Sequence, residues 1–354
     1  MKRTDGRSDG PTGGGTARPS AGPAARPFHP AWWLPGAHLQ TVMGRFVRRK
    51  RGIRYHRERL ETPDGDFLDL EYGAAAGEPE LPPEAPLVLK LHGLEGSAHS
   101  GYTAELTRVL HRRGIRSVGL NFRSCGGEMN RTARFYHSGE TEDLALVLAH
   151  LRNAFPASPL GLVGFSLGGN VMLKYLGEAG EAAREAILAA VAISVPYDLR
   201  LGVERMRRPP GLLYARFFIR QLQRKVLAKQ ALLQDRIDVA RALRARTFDE
   251  FDDAVTAPLH GFAGAEDYYG RSSSAQFLPA IRVPTLLIHA ADDPMAPAAG
   301  LPEAALTGNR ALRAAVTPRG GHVGFIEGVL PWRPRFWAEE TAGDWLGQAL
   351  GTRR

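Results

Sequence analysis

One pentapeptide, Gly164-Phe165-Ser166-Leu167-Gly168, restricts this chain more than any other stretch. An apolar run, Leu160-Gly161-Leu162-Val163, leads into it, and a helix-compatible segment from Gly169 to Leu176 follows. A strand that turns into a helix within a single residue brings neighbouring backbone close on both sides of the turn. Glycines at 164 and 168 leave that space open. The residue at the apex is then held in a strained conformation, with its side chain exposed above the end of a sheet. A chain built around such a turn belongs to the α/β class.

The surrounding pattern agrees. Strands are expected at 87–91, 117–122, 160–163, 187–194, 283–289 and 311–317, and helices at 102–112, 141–151 and 336–350. The helical segments place apolar residues three and four apart, as Leu106, Val109 and Leu110 do. Repeated strand–helix units imply a mostly parallel sheet with helices on both faces. Upstream, residues 53–58 and 67–72 flank Thr62-Pro63-Asp64-Gly65-Asp66, a Pro-Asp-Gly turn that predicts an antiparallel hairpin. Trp32 and Trp33 are expected to dock an N-terminal arm on the body, because an exposed tryptophan pair would be costly. Between Pro196 and about Pro279 the alternation stops, and 212–233 and 237–248 read as amphipathic helices with basic outer faces. The chain thus divides into a disordered basic tail (1–27), a first part of the core carrying the arm and the Ser166 turn (28–196), an inserted helical cap (197–280) and a second part of the core (281–354).

A length of 354 residues with 44% hydrophobic residues suffices for one α/β domain with an insertion. The apolar runs fall short of the roughly 18 residues that a membrane span needs. The first 26 residues are Gly, Pro, Ser, Thr, Arg and Ala with few large apolar side chains. They match a disordered segment and lack the apolar stretch of a signal peptide. Cys125 is the single cysteine, so no intrachain disulfide and no Cys-based metal site can form, and a cytoplasmic location is expected. The net charge of +9 concentrates at 45–59 and 205–246. It fits either a solvated surface or peripheral contact with an anionic membrane such as the inner surface of a cell membrane. Zinc-finger spacing and aromatic–basic RNA-binding patterns are missing, so nucleic acid is not expected as a partner. The oligomeric state stays open.

A serine hydroxyl needs an adjacent base to act as a nucleophile at neutral pH. His322, one of eleven histidines, lies in the loop Gly320-Gly321-His322-Val323-Gly324-Phe325 just past the last expected strand, where open α/β sheets place their ligands. An acid must hold the imidazole in the correct tautomer. The strand end at Ala290-Ala291-Asp292-Asp293-Pro294 offers two, and the small-x-x-Asp spacing from Ala290 favours Asp293 over Asp292. Ser166, Asp293 and His322 follow the chain order expected of such a triad. An oxyanion hole requires two backbone N–H groups. Leu167 supplies one by position, and Leu94, in His92-Gly93-Leu94-Glu95-Gly96, is the candidate for the other. His92 reads as a structural support. Cys125 reads as a packed loop residue, and His137 as part of a helix entrance with a chance of touching substrate. Metal and nucleotide motifs are missing, so neither a metal nor another cofactor is expected.

Five stretches together resemble the YheT-like branch of the α/β-hydrolases. They are His38-Leu39-Gln40-Thr41; His92 to Gly96; Asn121 to Asn130 with Tyr136 to Thr141; Gly164 to Asn170; and Asp292-Asp293-Pro294 with Gly320 to Phe325. The resemblance runs from about Pro30 to the end of the chain. It implies an α/β-hydrolase fold with an eight-stranded sheet, and carboxylesterase-type activity on short-chain esters, monoacylglycerols or, as in eukaryotic relatives, phospholipids. Ala290, in place of another small residue, and the Arg-rich tail depart from the pattern without touching the triad. The function expected is ester hydrolysis through an acyl-enzyme on a small-molecule or lipid substrate. A thioesterase or amidase using the same residues is the alternative among enzymes. A basic membrane- or polyanion-binding protein with a vestigial site is the alternative of a different class.

Overall fold

A computed structural model describes residues 26–352. The expected disordered tail, 1–27, lies outside the described residues except for its last two. Arg26 is described, and its guanidinium pairs with Glu327 at 2.6 Å.

The hairpin forms as its turn residues dictate. β1 (Ile53–Glu61) and β2 (Phe67–Ala75) pair antiparallel in full register. Gly65 takes φ 77° in the turn between them, where the Thr62 N–H donates to Asp66 O at 2.9 Å. Then β3 (Leu87–Leu91), α2 (Gly101–His111), β4 (Arg116–Asn121), α3 (Glu142–Ala154), β5 (Leu160–Phe165), α4 (Leu167–Ala179) and β6 (Ala189–Ile193) follow, with α1 (Ala37–Val47) preceding the hairpin. The sheet closes with β7 (Thr285–Ala290) and β8 (Leu312–Thr317). Its order is β1-β2-β4-β3-β5-β6-β7-β8, the eight strands that the resemblance implies. All pairs from β4 onward are parallel, and β2 meets β4 antiparallel.

Because parallel strands are covered on both faces, their burial is continuous rather than alternating. β3, β5, β6 and β7 are buried along their whole length. One face packs on α3 and α4 through Leu144, Val147, Leu148, Val171 and Leu176. The opposite face packs on α2 and the last helix, Trp337–Ala349, through Leu106, Leu110, Trp337 and Leu346. Register places Leu91 beside Gly164, Phe165 beside Ile193, and Ile193 beside Ile288. The loops carrying Leu94, Ser166, Ser194 and Asp293 therefore leave the sheet at one edge.

Between β6 and β7 the described chain is helical and irregular, with α5 (Leu199–Arg207), α6 (Gly211–Ala228), α7 (Val239–Arg244) and α8 (Ala265–Ser272) as its longer helices. Two expected helices are shorter than their amphipathic patterns. The one expected over 212–233 breaks at Lys229, whose buried ammonium turns inward onto Asn130 Oδ1 at 2.8 Å and onto the Thr132 carbonyl. The one expected over 237–248 contracts to α7. Asp238 caps its start, accepting from the Arg241 N–H at 2.8 Å. At its end the Gln223 side-chain amide donates to the carbonyls of Ala242, Leu243 and Ala245 at 3.0–3.2 Å. These bonds satisfy orphan carbonyls that another helical turn would otherwise have taken up.

The N-terminal arm docks differently from the expectation. Ala31 and Leu34 are buried and Trp33 is partly buried against Ile326 and Phe336. Trp32 stays 72% exposed, anchored only at its indole N–H, which donates to Val329 O at 2.9 Å. A tryptophan with its one donor satisfied and its ring in water costs less than the expectation assumed. Among the described residues no helix is long and apolar enough to cross a membrane.

Candidate active site

Ser166 sits at φ 50°, ψ −121° between β5 and α4, a conformation that a non-glycine residue adopts only under constraint. The constraint is visible. Its N–H donates to Ile193 O at 2.8 Å, and its carbonyl accepts from the Asn170 N–H at 3.1 Å. The flanking glycines are required by contact: a Cβ on Gly164 would lie 2.5 Å from Gly169 Cα, and one on Gly168 would lie 2.4 Å from His92 O. Gly93 is less tight but still close, since a Cβ there would meet Ser166 Cβ at 3.1 Å.

The structure brings Ser166, His322 and Asp293 together from distant points. His322 Nε2 lies 2.9 Å from Ser166 Oγ. His322 Nδ1 lies 2.8 Å from Asp293 Oδ2 and 3.1 Å from Oδ1. A carboxylate only accepts, so Nδ1 carries the hydrogen and Nε2 is left free to accept from the serine hydroxyl. Burial pushes the Asp293 carboxyl up. The facing imidazole, the hydrogen bond to it and the Ala296 N–H together outweigh burial and hold the group below its ordinary range. Its Oδ1 is further pinned by the N–H groups of Met295 and Ala296, at 2.8 and 2.9 Å. Asp292 is placed differently: its Oδ1 accepts the Gly321 N–H at 2.9 Å and braces the histidine loop.

That loop is held at several residues by groups far away in sequence. The His322 N–H donates to Thr41 Oγ1 at 2.8 Å and the Val323 N–H to Ser194 Oγ at 2.9 Å. Gln40 brackets Ile326 with its side-chain amide, accepting at 2.8 Å and donating at 3.1 Å. Arg48, buried, donates to Gly324 O at 2.8 Å and pairs with buried Glu339 at 2.6 Å. Reading the sequence missed Ser194 and the work of Thr41. Ser194 had one available signal, its place at the end of the apolar run Ala189-Ala190-Val191-Ala192-Ile193; its positive φ, 52°, is seen only in the structure.

Among the described residues, the backbone N–H groups of Leu94 and Leu167 have no protein acceptor. The loop around Leu94 is fixed by its neighbours. Tyr102 OH receives the Gly93 N–H at 3.0 Å, and Tyr136 OH receives the Glu95 N–H at 2.8 Å. Glu95, at φ 53°, is clamped by Lys225 of α6 at 2.7 Å, which ties the cap to this loop. His92 acts as a strut. Its Nδ1–H faces Gly93 O at 2.7 Å, and its Nε2 accepts the Phe122 N–H at 3.2 Å. Burial lowers the His92 imidazole to about 4, so it stays neutral. Cys125 contacts Lys225 Nζ at 3.2 Å, and burial pushes its thiol up to about 11, away from thiolate chemistry.

Ser166 opens into a cavity of about 1100 Å³ whose lining includes Val203, Met206, Phe218, Leu222, Phe248 and Val255 from the segment between β6 and β7. His137 lines the same cavity, its ring 4.4 Å from that of His260. Among the described residues His137, Glu140 and His260 could converge on a cation. However, Glu140 already binds the Arg134 guanidinium at 2.5 Å, and His137 Nδ1 accepts the Gly139 N–H at 3.1 Å, which leaves the hydrogen on Nε2. Both donors are committed elsewhere, and the set does not suit a metal.

Asp252 lines the cavity from a π-helical turn (Asp252–Thr256) in the cap. Burial raises its carboxyl to about 7, against the hydrogen bonds from Thr256 Oγ1 at 2.6 Å and Tyr269 OH at 2.8 Å. With a folded value above the ordinary 3.8, Asp252 keeps its proton better when folded. Its stabilising contribution is therefore full below about pH 4 and is lost as pH rises through about 7. Asp252→Asn is expected to escape that loss. Its Tm relative to the parent should climb by several degrees from about pH 5 to about pH 8. A pH-independent difference in a thermal melt would show instead that Asp252 is ionised throughout.

A family model described as alpha/beta hydrolase fold matches residues 86–329. The proposed esterase YheT of Escherichia coli (strain K12) is 38% identical over 313 residues, spanning 87% of this chain and 89% of that protein. Phospholipase ABHD3 of Mus musculus is 29% identical over 307 residues, spanning 86% of this chain and 74% of that protein. Among solved structures, the Pyrococcus furiosus esterase Pf2001 superposes with a TM-score of 0.50 at 18% identity, over 77% of this chain and 85% of that one. At that identity the likeness concerns the fold alone.

Proposed function

This chain belongs to the α/β-hydrolase family, in its YheT-like branch, and from that premise we propose that it is a serine hydrolase cleaving carboxylic esters through an acyl-enzyme. The observation that supports this most is the unbroken relay from Ser166 Oγ through His322 to Asp293, at 2.9 and 2.8 Å. Ser166 Oγ attacks the acyl carbonyl while His322 Nε2 takes its proton. Asp293 stabilises the imidazolium that forms. The N–H groups of Leu94 and Leu167 receive the developing oxyanion. The leaving alcohol departs with the proton from His322, and a water, activated in turn by His322, releases the acid.

The substrate is a small-molecule or lipid ester with a substantial apolar part. A cavity of about 1100 Å³ exceeds the roughly 300–1,000 Å³ of ordinary small-ligand sites and is mostly apolar at the cap. A monoacylglycerol-like or phospholipid-like ester fits that space, and the esterase and phospholipase names of the relatives agree with an ester bond.

A fluorophosphonate probe tests the reading directly. It is expected to modify the folded protein at Ser166 alone, as located by peptide mass spectrometry. Modification elsewhere, or none in folded protein, would sink it.

A further inference from the structure

Two neighbouring helices leave a row of large apolar side chains in water. On α1, Leu39, Val42 and Phe46 recur at helical spacing and are 45%, 43% and 69% exposed. On α6, Leu213 and Phe217 stand one turn apart and are 68% and 44% exposed. The helices meet here: His38 Nδ1 lies 2.9 Å from Tyr214 OH, and the Arg45 guanidinium sits 5.3 Å from the Phe217 ring. Val42, Phe46, Leu213 and Phe217 also line the cavity that holds Ser166. The row is therefore the lip of that cavity, apolar both inside and out. Contiguous exposed apolar surface of this kind marks a place where something else sits.

Charge selects what it is. No aspartate or glutamate occurs from residue 26 to 57 or from 205 to 234. Spacings of three within the helices put Arg45 beside Val42, Arg216 beside Leu213 and Arg220 beside Phe217, and Arg49 follows two residues past the end of α1. Arg48 pairs with Glu339, and Arg207 approaches Asp249 at 3.8 Å. Arg45, Arg49, Arg216 and Arg220 have no carboxylate partner among the described residues, and all four are exposed. Apolar side chains amid unpaired cations match an anionic lipid surface, where acyl chains accept the first and headgroups the second. A second copy of this chain fits poorly, because apposing the same patch sets arginine against arginine with no acid between.

We propose that the lip formed by α1 and α6 docks on an anionic lipid surface and seats the mouth of the cavity against it. This rests on the reading of Ser166 as the nucleophile of a lipid-ester hydrolase. Docked in this way, an ester with a long apolar part passes from the lipid layer into the cavity without its chain crossing water.

The full chain should co-sediment with vesicles of phosphatidylglycerol and phosphatidylcholine, less so as salt rises, and weakly with phosphatidylcholine alone. The triple reversal R49E/R216E/R220E, which leaves the cavity lining intact, should weaken binding to the anionic vesicles by about tenfold or more. Its Ser166 should still react with a soluble fluorophosphonate at the parental rate, which also certifies its fold. Phe46→Ser should weaken vesicle binding at unchanged charge. Equal binding to neutral and anionic vesicles, or parental binding by both variants, overturns the proposal. So does a dimer in light scattering that these substitutions dissolve, since the lip would then be a self-association surface. Parental protein that reacts at Ser166 yet ignores vesicles removes the docking surface alone. Protein that fails to react at Ser166 removes the reading beneath it.

Discussion

Ser166→Ala is expected to lower kcat/KM on a p-nitrophenyl ester by about 10⁵- to 10⁶-fold, and His322→Ala should cost about as much. The reason is geometric. With Oγ 2.9 Å from His322 Nε2, attack and proton removal are one event, and neither group has another partner that would let it act alone. In free energy the loss is about 7–8 kcal/mol. The double variant should be scarcely worse than either single one, because groups that act as a unit are lost as a unit. A residue of roughly 10³-fold acceleration over water should remain, contributed by the N–H groups of Leu94 and Leu167 and by binding in the cavity. Steady-state kinetics on protein purified free of host esterases would check this. Losses that multiply in the double variant would mean that Ser166 and His322 serve separate steps, and the acyl-enzyme relay would have to be abandoned.

The strained turn at Ser166 was legible in the sequence because its requirements are local. Strand, turn and helix lie within a few residues, and the glycines at 164 and 168 are dictated by backbone 2.4–2.5 Å away from any added Cβ. The parallel sheet was legible for a similar reason, since strands buried on both faces read as continuous apolar runs. The supports of the histidine loop were not. The His322 N–H finds Thr41 across 281 residues and the Val323 N–H finds Ser194 across 129, and no periodicity encodes such a meeting. The clamp of Lys225 on Glu95, which joins α6 to the loop after β3, is hidden in the same way.

The loop from Asn121 to Asn130 carries a further lesson. It contributed to the family resemblance, yet the residues that stand out in it build structure. Arg123 is buried between Asp66 at 2.8 Å and Asp143 at 2.7 Å, and the Asn130 amide donates to Asp66 at 2.6 Å. A buried guanidinium is tolerated only when its donors are met by carboxylates in this fashion. A motif can thus identify a family through its scaffold while saying little about its chemistry. The segment between β6 and β7 illustrates a different limit: the amphipathic pattern overstated the length of two of its helices, because side chains such as Gln223 and Lys229 end them early.

Adjacent acids pose the sharpest test of what geometry adds. Asp293→Asn is expected to lower kcat by about 10⁴-fold, and Asp292→Asn by no more than about tenfold. In Asp293 the N–H groups of Met295 and Ala296 pin Oδ1. An asparagine there would keep its carbonyl oxygen on those donors and turn its NH₂ toward His322 Nδ1, the place where Oδ2 now stands at 2.8 Å. A donor facing Nδ1 forces the imidazole hydrogen onto Nε2, which then cannot accept from Ser166. The fold would be intact and the tautomer wrong. Asp292 meets a different demand, since its Oδ1 need only accept the Gly321 N–H, and an asparagine oxygen does that equally well. The two variants should therefore share a melting temperature within a few degrees while their turnover differs by about three orders of magnitude. Should the larger loss fall on Asp292→Asn, the acid of the relay would be Asp292, and the spacing from Ala290 that selected Asp293 would carry no weight.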